Sequence, residues 1–115
     1  MTYSLHPGNF LEEASRRFKC VADANIEKDD EFPLLDATVA IALRLILKST
    51  QGDSSVLAHA GEFIENLFNS PDSLLRSIAE VEIPESFSLE SHPHLEAHLG
   101  PKTLDALETY RQYFL

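Results

Sequence analysis

The chain predicts an all-α fold: a compact bundle of five or six short helices around one central apolar helix at about residues 33–50. Three observations carry this expectation. The run from Pro33 to Lys48, PLLDATVAIALRLILK, is too apolar to be left beside water. It lacks the alternation of a half-buried strand, and its alanine and leucine content favours a helix. The flanking segments repeat apolar residues at i, i+3 and i+4, so amphipathic helices are available to cover it. With 115 residues and 43% hydrophobic content, a single helical domain over 1–115 is expected, large enough to bury a core without disulfides or metals as staples.

Taken in order, residues 1–8 form an irregular lead-in whose Tyr3 and Leu5 pack onto the domain. Asn9 followed by Glu12 resembles a helix-start signal. Phe10, Ala14, Phe18, Val21 and Ala22 then share one face of a first helix, about Phe10 to Ala24, with Glu12/Arg16 and Glu13/Arg17 paired along its surface. Residues 25–32, NIEKDDEF, have no sustained apolar period and read as an exposed acidic connection. The central helix follows, with Asp36, Ala40, Arg44 and Lys48 as its polar row and Gly52 as its stop. Asp53 and Ser54 cap a third helix in which Val56, Leu57, Ala60, Phe63, Ile64, Leu67 and Phe68 form a broad apolar face. Gly61 within it marks a close approach to another helix. Ser70, Pro71 and Asp72 end that helix and start the next, with Ser70 as cap and Pro71 as first residue. Residues 82–91 are expected as an extended linker, because Pro84 interrupts them and a lone strand has no partner. A short helix from Pro93 closes at Gly100, and a last one runs from Pro101 to about Tyr113.

Nineteen acidic residues against nine basic ones give a net charge of −10. That charge repels nucleic-acid phosphates and anionic membrane surfaces, so no direct nucleic-acid or membrane partner is expected. The acids are uneven: residues 23–36 hold six acids and one base, and residues 62–96 hold eight acids and one base. A single cysteine, Cys20, permits no intrachain disulfide and suits a reducing compartment. The first ten residues have neither a basic region nor an apolar run, so a cytoplasmic location is expected.

Candidate chemistry is sparse. His94 and His98 are i, i+4 if helical, the spacing that lets two imidazoles reach one ion, and His92 is a third ligand just ahead of them. Glu96 stands two residues from each and points elsewhere, so no HExxH-type base is present. A polar surface segment is the plainer account of these histidines, and no cofactor is expected. NIEKDDEFPLLD lacks the glycine and the spacing of an EF-hand loop. There is no glycine-rich phosphate loop, no GxSxG elbow and no cysteine with a base partner, so nothing in the sequence supports an enzyme.

The expectation for function is therefore a non-enzymatic acidic module that inhibits or stabilises a basic protein partner. Immunity proteins, antitoxins and phage-encoded inhibitors offer an analogy of size and charge. Its partner-binding residues are Asp23, Glu27, Asp29, Asp30, Glu31, Glu62, Glu65, Glu82 and Glu85. The alternatives are a small metal-dependent enzyme using His92, His94 and His98, and a structural subunit in which the third or last helix completes a symmetric homodimer.

Overall fold

Leucine and isoleucine on three sides of one helix require neighbours on three sides, and the fold is built to supply them. A computed structural model of the protein describes residues 3–26, 34–52, 54–89 and 92–114. Seven α-helices and one 3₁₀ turn (Ser54–Val56) are found among them, and no strand. They are α1 (Phe10–Arg17), α2 (Lys19–Ala24), α3 (Leu34–Gly52), α4 (Leu57–Phe68), α5 (Ser73–Leu89), α6 (Pro93–Glu96) and α7 (Pro101–Phe114). α3 packs on α1, α2, α4, α5 and α6, and α4 packs on α3, α5, α6 and α7. The result is a near-isometric bundle of 33 × 30 × 28 Å. No helix of the described residues is long and apolar enough to cross a membrane.

The core joins Leu35, Val39, Leu43 and Ile46 of α3 to Phe63, Ile64 and Leu67 of α4, all fully buried. Phe63 is its aromatic centre. The Phe18 ring meets it edge-on at 5.4 Å and the Phe10 ring lies 5.7 Å away. Tyr3 sits 6.3 Å from Phe63, and the Arg17 guanidinium lies 3.4 Å above the Tyr3 ring. Leu5 is fully buried, and its carbonyl accepts a 2.5 Å hydrogen bond from Ser70 Oγ. The lead-in from Tyr3 onward is thus part of the domain.

Several expectations from the sequence are corrected. The single helix over 10–24 is broken at Phe18, whose backbone is extended (φ −129°, ψ 110°). The break turns the Phe18 ring into the core against Phe63, a gain from aromatic burial that offsets the lost helical continuity. Asn9 makes no side-chain cap; its amide instead accepts from His6 N–H (2.8 Å) and donates to the Ser4 carbonyl (2.9 Å). α5 starts at Ser73 rather than Pro71. Asp72 is its cap, with Oδ1 accepting from Leu75 N–H at 2.8 Å, while Ser70 Oγ accepts from Asp72 N–H at 3.1 Å.

The extended linker expected over 82–91 is helical through Leu89, as the continuous end of α5. Pro84 removes one helical N–H, which costs the Glu80 carbonyl its partner. That carbonyl belongs to an exposed residue, where water can replace the bond. The row Leu75, Ala79, Ile83, Phe87 meanwhile keeps an apolar i, i+4 edge on the core, so tertiary packing overrides the local break. The expected polar row of α3 is rotated as well. Asp36 and Ala40 are half-buried, and the outward stripe is Leu34, Ala37, Ile41, Arg44 and Lys48.

Candidate functional site

A recess of about 500 Å³ lies where the end of α4 meets α5 and α7. Each element brings a distinct chemistry. α4 contributes Phe68, its last residue, and α5 contributes the Glu80 carboxylate. α7 contributes Lys102, Asp105, Ala106, Thr109 and Tyr110 on successive turns of one face. Phe68, Ala106 and Tyr110 form an apolar and aromatic floor under a charged rim. Glu80 and Asp105 take part in no ion pair among the described residues. Two carboxylates against one ammonium leave the rim negative.

The position of α7, and so of half this recess, is set by one carboxylate. Glu65 of α4 reaches the first turn of α7, where Oε2 accepts from Lys102 N–H (3.1 Å) and Oε1 from Thr103 N–H (2.9 Å). The Thr103 hydroxyl donates to the same Oε1 at 2.9 Å. A helix start leaves its first amides unpaired and carries partial positive charge, so an anion supplied from another helix satisfies both needs. Close backbone packing holds the same corner. A Cβ on Gly61 would strike the carbonyl of His98, and one on Gly100 would strike the Glu65 side chain.

The acids expected to bind a partner fare differently. Asp23 at the end of α2, Glu62 on α4 and Glu85 on α5 are exposed. Glu65 is occupied in capping α7. Glu82 is half-buried on the seam between α5 and α3 and is hydrogen-bonded to Asp36. Its pKa is pushed up to about 7, first by burial, then by the Asp36 hydrogen bond and the charges of Asp36 and Glu85, against the lowering influence of Arg44. Glu27, Asp29, Asp30 and Glu31 lie outside the described residues.

The three histidines are divided by the fold. α6 is a single turn, so the i, i+4 relation of a continuous helix does not bring His94 and His98 together. His92 and His94 line a recess of about 40 Å³ with Thr50 and Gln51. His98 lines a separate groove of about 340 Å³ with Gly61, Glu62 and Asn66. Among the described residues no group of three or more His, Cys, Asp or Glu side chains is placed to hold a metal ion. His92 is only 5% exposed, lies edge-on to Phe87 at 5.4 Å, and its Nδ1 has no hydrogen-bond partner among the described residues.

Sequence reasoning missed Asp105, Phe68 and Tyr110 as site residues, and Glu80 was only one acid within a long acidic stretch. Their separation along the chain concealed a grouping that only the packing of α4, α5 and α7 creates. Comparison of the chain with protein-family models, with curated proteins and with solved structures finds no match.

Proposed function

We propose that the protein is a non-enzymatic binding module that docks on a basic protein partner and inhibits or stabilises it. The observation that carries this reading is the excess of acid on the rim, Glu80 and Asp105 against Lys102, above the Phe68–Tyr110 floor. Arginine and lysine combine an apolar stem with a charged tip, so such a side chain lays its stem on the floor and its charge on the rim. Arginine gains further from the aromatic faces. The net charge of −10 steers a basic surface toward the molecule before contact.

The test is capture of partners from source cells on immobilised wild-type protein and on the double variant Glu80→Lys/Asp105→Lys. Both side chains are exposed, so the variant keeps the fold. The expected result is a basic protein retained at low salt and released at about 1 M salt, where the Debye length falls to about 3 Å. It should be absent from the variant. Retention by the variant, or binding indifferent to salt, would refute the reading.

A further inference from the structure

A second surface lies on a different side of α5, and the recess does not use it. Six large hydrophobic side chains are exposed among the described residues, and four of them stand on two parallel stripes. On α3 the stripe is Leu34, Ala37, Ile41, Arg44 and Lys48, with Leu34 60% and Ile41 48% exposed. On α5 it is Leu74, Ser77, Val81, Glu85 and Ser88, with Val81 53% exposed. Both follow the helical repeat and flank the seam at which Glu82 of α5 is hydrogen-bonded to Asp36 of α3.

The stripes are alike in apolar content and opposite in charge. That of α3 ends in two cations, and that of α5 carries a carboxylate. His92 lies 5.4 Å from Phe87 of α5 and lines one recess with Thr50 of α3, so the two helices run the same way with their ends together, and Arg44 and Glu85 both lie roughly one to two turns before that end. A surface with complementary halves at the same height is self-complementary under one operation. A two-fold axis running along the seam, in the plane of contact, exchanges the sides and preserves the height. It lays α3 of one copy on α5 of the other, and the reverse. A two-fold axis across the helices would instead set α3 on α3 and cation against cation.

We infer that the α3–α5 face is the contact surface of a symmetric dimer of this chain. Ile41 and Leu34 of one copy pack on Val81 and Leu74 of the other, and Arg44 of each copy faces Glu85 of its partner. The reciprocal ion pairs matter here because two copies each carrying −10 repel at long range, so association needs compensation at the contact itself.

Sedimentation velocity across the micromolar range tests this with the full chain. Wild type should shift from monomer to dimer with concentration, and Ile41→Glu should remain monomeric. Arg44→Glu and Glu85→Arg should each raise the dimer Kd by about tenfold or more, because each sets like charges opposite in both halves of the contact. An equimolar mixture of those two variants should form a heterodimer near wild-type affinity, since both of its ion pairs are then of opposite sign. Thermal melting followed by circular dichroism verifies that the exposed substitutions leave the fold intact. A wild type that stays monomeric to about 200 μM, beyond the range of a specific micromolar dimer, overturns the inference and leaves the stripe to another occupant. So does a dimer indifferent to Ile41→Glu, or a mixture no tighter than its components.

Discussion

Replacing Glu65 with alanine should destabilise the domain by about 3 kcal/mol, although the residue is neither apolar nor fully buried. The magnitude follows from what the carboxylate holds. Thr103 is fully buried, and both its N–H and its hydroxyl end on Glu65 Oε1. Leaving buried donors without a partner costs about 1–3 kcal/mol. The Lys102 amide is exposed, so water takes over its bond and the loss there is small. Removing the anion from the positive end of α7 adds about 0.3–1 kcal/mol. For a domain of this size each kcal/mol lowers Tm by roughly 4 °C, so a fall of about 12 °C is expected. Thermal melting and urea titration read it directly. Glu65→Gln keeps one acceptor oxygen and loses the charge, and should fall about midway. Glu62→Ala, exposed one turn earlier on α4, is the control and should stay within about 0.5 kcal/mol of wild type. If Glu65→Ala melts within about 2 °C of wild type, the cap does not hold α7. The same variant should weaken capture at the recess, because Asp105 and Tyr110 ride on the helix that Glu65 orients.

Gly61→Ala should cost about 1–3 kcal/mol by overpacking, because the new methyl meets the His98 backbone rather than a side chain that can turn away; chemical denaturation measures it. Asp72→Ala should cost about 1 kcal/mol through loss of the bond to Leu75 N–H at the start of α5, read as a lower urea midpoint with unchanged slope. Glu82 supplies a pH dependence of definite sign. Its folded pKa, about 7, exceeds the ordinary value of 4.5, so its contribution is fully present below about pH 4.5 and is lost as pH rises through about 7. The groups facing it are Asp36 and Arg44 from α3 and Glu85 from α5. Because the side chain is only half-buried, solvent screening discounts the effect to about 1 kcal/mol. Glu82→Gln should match wild type at about pH 4 and exceed its stability by that amount at about pH 8; equal pH profiles would show that burial and Asp36 do not hold the Glu82 carboxyl protonated.

Much of the architecture was legible because helical periodicity is a local property. The apolar run of α3, the broad face of α4 and the Pro101 start of α7 each announce themselves within a few turns of sequence. Gly61 was legible as a close approach, since a glycine on an otherwise well-formed helix implies a neighbour too near for a side chain, but that neighbour is the turn at His98 and not the helix the sequence suggested. The breaks were not. Phe18 leaves the helix because a ring-sized site beside Phe63 awaits it, and Pro84 stays in one because Ile83 and Phe87 are held by the core. Local propensity argues the other way at both positions, and packing prevails because it involves more buried area than one backbone hydrogen bond is worth.

Charge was legible as an amount but not as an arrangement. The sequence by itself determined an all-helical chain, its central apolar helix and its strong negative charge, since composition and period need no knowledge of what touches what. Only the tertiary structure decided that Glu65 caps a helix thirty-seven residues away rather than facing a partner. Only it set Glu80 beside Asp105 and turned Ile41 outward with Arg44. These relations join positions far apart in the chain, and the angle at which one helix meets another, which creates them, is settled by the whole core at once rather than by any segment of it.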